Sequence, residues 1–256
     1  MMMKVGRLMA AGVAVLFLAG LGATARAEVK EPLSKACVVP DWVAEAAIAL
    51  PKAKAQLEAT NGLKIVALGS SSTLGSGGSG PAAAWPARLE AELRQLLPQT
   101  RVTVINKGLM QQTVPQMLAR LEKDVIAERP ALVIWEAGTS EAVRGVEIDT
   151  FTTELLAGID RLLEHDIDVV LMDMQYAKNT ARLINFQPYV DAVERAAAMR
   201  DVFVFPRYDI MRDWVENEQV HFGEQTSSEA VATADQVYAC LAKYLAALIV
   251  QGLHRT

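Results

Sequence analysis

Lys64-Ile65-Val66-Ala67-Leu68-Gly69-Ser70-Ser71-Ser72-Thr73 is the stretch that decides how this chain is read. A short apolar run with β-branched residues that ends in Gly-Ser predicts a buried strand breaking into a tight loop. Such a loop presents hydroxyls at the carboxyl end of a strand. That edge is where open α/β sheets place their chemistry.

The same pattern recurs along the chain. Apolar runs at Arg101–Ile105, Ala131–Glu136, Asp168–Met174 and Val202–Phe205 are the further strand candidates. Between them lie amphipathic stretches near Ala82–Leu97, Val114–Glu128, Phe151–His165 and Phe186–Met199. A helix is also expected over Asp41–Thr60, and a long one over Ser227–Val250 closes the chain. Apolar strands alternating with helices predict a parallel sheet covered on both faces. The expected fold is α/β: a three-layer α/β/α, flavodoxin-like domain with a central five-stranded parallel sheet. Polar turns after the second and third strands, Asn106-Lys107-Gly108 and Gly138-Thr139-Ser140-Glu141, should converge with the serine loop on one edge.

The amino terminus reads as a targeting segment. Lys4 and Arg7 precede an uncharged apolar stretch, and Ala25-Arg26-Ala27 is an A-x-A site. This order predicts a secretory signal peptide over 1–27, cut after Ala27. The apolar stretch is short for a membrane span, which needs about 20 residues, so no span is expected after cleavage. Residues 28–62 read as an N-terminal linker and helix, and 63–256 as the main domain. The expected location is periplasmic or secreted. Over the whole chain 25 basic residues face 30 acidic ones, a net charge of −5. There is no basic run, which argues against nucleic acid as a partner. The two cysteines, Cys37 and Cys240, suit a disulfide in an oxidising compartment. Oligomeric state leaves no mark on the sequence.

Serine hydrolysis needs a nucleophile, a base, a group that orients the base, and donors for the oxyanion. Of the three histidines, His165 ends a helix, where a capping or solvated role is the simpler reading, and His254 is in the tail. His221 sits in Asn217-Glu218-Gln219-Val220-His221, with an acid three residues before it. Gly75-Ser76-Gly77-Gly78-Ser79-Gly80 fits G-x-G-x-x-G, but it starts well after the strand, and the second strand ends in Asn106 with no acid for a ribose. It reads instead as a loop beside the nucleophile that shapes substrate entry. No P-loop and no His/Cys cluster with metal spacing is present, so neither cofactor nor metal is expected.

In the order of these parts the chain resembles the SGNH, or GDSL-like, hydrolases over about Leu63 to Leu248. The family's Gly-Asp-Ser-x-Thr reads here as Gly69-Ser70-Ser71-Ser72-Thr73, and its nucleophile falls on Ser71. Trp85-Pro86-x-Arg88-Leu89 looks like the usual start of the next helix. The second-block glycine falls on Gly108. Gly-x-Asn-Asp aligns with Gly138-Thr139-Ser140-Glu141, and Asp-x-x-His with Glu218-Gln219-Val220-His221. The resemblance implies an exported bacterial serine esterase acting through an acyl-enzyme on carboxylic esters, O-acetyl or short acyl, including carbohydrate-linked ones. Ser71 would attack, His221 would move the proton and Glu218 would orient His221. Ser71, Gly108 and Ser140 would form the oxyanion hole.

Three positions depart from that pattern: Ser70 for Asp, Ser140 for Asn and Glu218 for Asp. They motivate a second reading, a weak or inactive protein of the same fold that binds envelope glycan or an acylated ligand. An acyltransferase using the same serine is a close variant of the first. Asp173 and Gln175 end the fourth strand on the active edge and are candidate pocket residues. Glu136 is either a pocket residue or the partner of Arg144.

Overall fold

The computed structural model describes residues 38–44, 46–221 and 225–254. Residues 1–37, with the signal segment and Cys37, lie outside the described residues. Five strands form one sheet: β1 (Gly62–Gly69), β2 (Arg101–Gly108), β3 (Leu132–Glu136), β4 (Asp168–Met172) and β5 (Phe203–Phe205). All pairings are parallel, in the order β2-β1-β3-β4-β5. The five apolar runs read from the sequence are these five strands.

Alternation along each strand divides the side chains between two cores. Ile65, Ala67, Leu132, Ile134, Val170 and Met172 face one layer, with Trp85, Leu89 and Leu93 of the Trp85–Leu96 helix and Leu241, Leu245 and Ile249 of the last helix. Val66, Leu68, Val133, Trp135, Val169 and Leu171 face the other. There they meet Leu155, Ile159 and Leu162 of the Ile148–Glu164 helix and Val190 and Val193 of the Gln187–Arg200 helix. A period of two on a doubly covered sheet gives this division, and it explains why the strands read as continuous apolar runs. Each fully buried Val, Leu, Ile or Met among them stabilises the fold by about 1.5–3 kcal/mol. The last helix, Ser227–His254, is long and apolar enough to cross a membrane by length and composition. Here its apolar residues are spent on the core.

Two expected helices are interrupted. Asp41–Thr60 is a short turn at Asp41–Ala44 and a helix at Pro51–Thr60. Leu50, ahead of Pro51, has φ −129° and ψ 67°, in keeping with the exclusion of a pre-proline residue from the helical region. Val114–Glu128 is three short pieces, at Val114–Leu118, Leu121–Asp124 and Ile126–Glu128. A helix at Arg207–Glu216 was not expected, and it carries a residue important to the site. The amides of Lys52 and Ala53 donate to the Asp168 carboxylate, each at 2.9 Å. The Pro51–Thr60 helix is thereby capped onto β4.

The chain moves from β1 outward to β2, then back across to β3. The carboxyl ends of β1 and β3 therefore flank the switch point of the sheet, where a crevice opens.

Candidate active site

A cavity of about 320 Å³ opens at that switch point, lined by Ser70, Ser71, Gln111, Glu136, Ser140 and Gln175 among others. Ser71 begins a single helical turn, Ser71–Leu74, directly after β1, and its carbonyl accepts the amide of Ser76 at 2.9 Å.

Three consecutive serines compete for the role of nucleophile, and a buried carboxylate separates them. Glu136, at the end of β3, is 1% exposed. It accepts hydrogen bonds from the hydroxyls of Ser70 at 3.2 Å and Ser72 at 2.7 Å, and from the amide and hydroxyl of Thr73 at 3.1 and 2.5 Å. The Ser71 hydroxyl points elsewhere. Its Oγ accepts the amide of Gln111 at 2.9 Å. All three serines border the cavity, but the hydroxyls of Ser70 and Ser72 are engaged by Glu136 and that of Ser71 is not.

Glu136 is balanced by Arg207, the first residue of the Arg207–Glu216 helix, likewise 1% exposed. Its Nη2 lies 3.3 Å from Glu136 Oε1, and its Nη1 donates to Ser72 Oγ at 2.8 Å. Burial acts to raise the Glu136 pKa. The Arg207 charge and the hydroxyls of Thr73 and Ser72 outweigh it and hold the carboxyl below its ordinary value. Glu136 is thus a cavity residue whose ionic partner is Arg207. Arg144 instead donates from Nη2 to the Gln111 carbonyl at 2.8 Å.

Gly108 has another job. Its amide donates to Asn106 Oδ1 at 2.8 Å, and a Cβ there would fall 2.2 Å from the Leu74 amide nitrogen. It is a glycine of close packing against the nucleophile turn, and it is not among the residues that line the cavity. The backbone donor that β2 delivers to the site is Gln111. That residue has φ 55°, a left-handed conformation rare for a residue with a Cβ. The sequence offered no signal for it, because a positive φ is normally announced by glycine or asparagine.

Ser140 lines the cavity from the turn Thr139–Arg144, 9% exposed. The next residue, Glu141, accepts the Val114 amide and so joins the β3 loop to the segment that follows Gln111. Gln175 lines the cavity and Asp173 does not. Asp173 is buried and accepts the Tyr208 amide at 2.8 Å. Burial pushes its carboxyl up to about 8, against the pull of that amide and of Arg207. Asp173 is an interior acid rather than a pocket residue. The glycine-rich loop does not line the cavity either. The last helix pins it, with Tyr238 donating its hydroxyl to the Ser76 carbonyl at 2.6 Å and Asp235 accepting the Ser79 amide at 2.9 Å.

Glu218 and His221 follow the Arg207–Glu216 helix. Both are exposed, and neither lines the cavity. Among the described residues no hydrogen bond joins His221 to Ser71 or to Glu218. Glu218 has φ 54° in the turn after the Arg207–Glu216 helix, and residues 222–224 lie outside the described ones. His165 borders a hollow with Pro130 and Ile167, which precede β3 and β4, at the opposite edge of the sheet. His254 ends the last helix. Among the described residues no group of three His, Cys, Asp or Glu is placed to hold a metal ion.

A family model described as the non-GDSL lipase-like family matches residues 36–255. No curated protein sequence matches the chain. Among solved structures, a lipase/acylhydrolase from Enterococcus faecalis is 22% identical with a TM-score of 0.59, over 74% of this chain and 96% of that one. A G-D-S-L family protein from Desulfitobacterium hafniense DCB-2 is 24% identical with a TM-score of 0.58, over 72% and 98%. A catalytic mutant of the acetylxylan esterase Axe2 from Geobacillus stearothermophilus is 19% identical with a TM-score of 0.58, over 76% and 95%. At these identities the likeness is one of fold.

Proposed function

Because the chain belongs to the non-GDSL lipase-like family of ester-bond hydrolases, we propose that it cleaves carboxylic esters with Ser71 as nucleophile. The observation that carries this reading is the Gln111 amide 2.9 Å from Ser71 Oγ, beside a cavity on the active edge of the sheet. An amide already turned toward the nucleophile stands next to the place where the substrate's oxyanion forms, and a donor fixed there is what an oxyanion hole needs.

In this reading Ser71 Oγ attacks the acyl carbon. The carbonyl oxygen becomes an oxyanion, held by the amides of Ser71 and Gln111 and the hydroxyl of Ser140. The bond to the leaving alcohol then breaks to give an acyl-enzyme, and water releases the acid. His221 takes the Ser71 proton and returns it to the alcohol, with Glu218 as its orienting acid. That assignment rests on the order of the motifs. The cavity is at the small end of ligand pockets, which run from about 300 to 1,000 Å³. This size and a polar lining suit an acetyl or short acyl group on a polar alcohol such as a sugar. A sugar hydroxyl in place of water would make the same acyl-enzyme an acyltransferase.

The position of His221 outside the cavity favours a second reading, in which the fold binds an acylated ligand without turning it over. Hydrolysis of p-nitrophenyl acetate and butyrate separates the two. Esterase activity lost in both Ser71→Ala and His221→Ala supports the first. Activity lost only in Ser71→Ala removes His221 from the mechanism. No activity above Ser71→Ala in a folded protein supports the second.

Export and a Cys37–Cys240 disulfide belong to the same proposal. Cys240 is buried on the last helix. Two residues beyond Cys37, the Val39 amide donates to the hydroxyl of Tyr244, one turn after Cys240, at 3.1 Å. The Val38 carbonyl accepts Trp214 Nε1 at 2.7 Å. The first contact lies on the helix that carries Cys240 and the second on the Arg207–Glu216 helix; the first supports the pairing. Mass analysis of the exported protein, with and without reductant, tests both the cut after Ala27 and the bridge.

A further inference from the structure

Gln111 is held in an unusual conformation by a residue from a different loop. Its amide faces Ser71 Oγ at 2.9 Å, and its carbonyl, in the next peptide unit, accepts Arg144 Nη2 at 2.8 Å. The φ of 55° at Gln111 sets the angle between those two peptide units. A side chain with a Cβ does not keep that angle by preference, so something outside the residue must fix it. Arg144 is suited to that task. It ends the Thr139–Arg144 turn that also carries Ser140, and it stands at the cavity wall. The far end of the same segment is tied down separately. Arg120 donates to Gln112 Oε1 at 2.9 Å and to the Lys107 carbonyl at 2.8 Å. Those bonds secure the loop but leave the Gln111 carbonyl to Arg144.

We propose that Arg144 is a positioning residue for the oxyanion donor: by holding the Gln111 carbonyl it keeps the Gln111 amide aimed at Ser71. The inference rests on the reading of Ser71 as nucleophile. It couples the loops after β2 and β3, so that the Gln111 and Ser140 donors are set in one frame. The hydrogen bond of Arg144 goes to the Gln111 carbonyl and not to the nucleophile.

The test uses the full mature chain and the variants Arg144→Ala and Arg144→Lys, with melting temperatures measured to verify folding. Removing one oxyanion donor costs about 10²–10³ in kcat, and a donor left loose should cost less, about tenfold or more. The expected result is a fall in kcat for Arg144→Ala with KM little changed, a smaller fall for Arg144→Lys, and partial recovery of Arg144→Ala by free guanidinium ion. Guanidinium should not rescue Ser71→Ala. An unchanged kcat in Arg144→Ala would overturn the proposal. So would a rise in KM alone, which would make Arg144 a substrate contact. Hydrogen exchange at the Gln111 amide reads the same device without turnover. It should speed up in Arg144→Ala, and an unchanged rate would overturn the inference. If the wild-type chain shows no activity above Ser71→Ala, the esterase reading fails, and the exchange rate still decides whether Arg144 holds Gln111.

Discussion

Glu136 accepts the hydroxyl of Ser72 at 2.7 Å from beneath the turn that carries Ser71. The carboxylate comes from β3, while the serine follows β1, so the contact crosses the switch point of the sheet. In the resembled family an acid precedes the nucleophile. Here that position is Ser70, and the negative charge under the loop is supplied by Glu136 with Arg207 as its counter-ion.

Ser70 and Ser72 then have structural roles that Ser71 lacks. Ser70→Ala and Ser72→Ala should each lower stability by about 1–3 kcal/mol, since each removes a hydrogen bond to a buried charge. Both should still react with a serine-directed probe. Urea unfolding measures the first effect. Stability unchanged in both variants would remove Glu136 as the group that sorts the serines.

Breaking the buried pair should be costly. Glu136→Ala leaves Arg207 charged and uncompensated, and loss of one partner of a buried ion pair costs about 3–5 kcal/mol. Arg207→Met should be comparably harmful, because it leaves the carboxylate. The double variant should be less destabilised than the sum of the two. Denaturant midpoints of the four proteins form the cycle, and strict additivity would show that the two residues do not interact.

The pair also sets an acid limit. The folded-state pKa of Glu136 lies below its ordinary value of 4.5. Its contribution is therefore present above that value and lost as pH falls through the lowered one. Asp173 works in the opposite sense. Its folded pKa is raised from 3.8 to about 8, so folding favours the protonated acid. Stability from this group is present at low pH and declines as pH rises from about 4 to about 8. Asp173→Asn should flatten that decline between pH 6 and 8. A slope equal to that of the wild type would show that Asp173 is not protonated in the folded chain.

Gln111 sits where glycine is conformationally free. Gln111→Gly should be neutral or stabilise by up to about 1 kcal/mol, and Gln111→Val should destabilise by about 1–3 kcal/mol, because a β-branched residue resists a positive φ. Thermal melts of the pair check this. Equal stability of the two variants would contradict the left-handed conformation.

The sheet was legible because each strand carries its own signal. Ile65, Val133 and Val170 lie in short, β-branched apolar runs of the kind a doubly covered parallel sheet accommodates. The placement of Ser71, Ser140, Gln175 and Glu136 around one cavity followed from a single rule, that loops at strand carboxyl ends share an edge. What escaped depends on contacts between distant segments. Arg207 meets Ser72 across 135 residues, and its helix is short, directly after Pro206, in what read as a connection. Gln111 was invisible because its backbone angle is imposed by Arg144 rather than by its own residue type. Gly108 was misread for the converse reason: its missing Cβ makes room for Leu74, and a packing glycine and an oxyanion glycine look alike in sequence.

The most direct test of the account is the site of covalent labelling by a fluorophosphonate, mapped by mass spectrometry on the folded protein. The account predicts one modified residue, Ser71, with labelling abolished in Ser71→Ala and retained in Ser70→Ala and Ser72→Ala. Label on Ser70 or Ser72, or none on a folded protein, would contradict it.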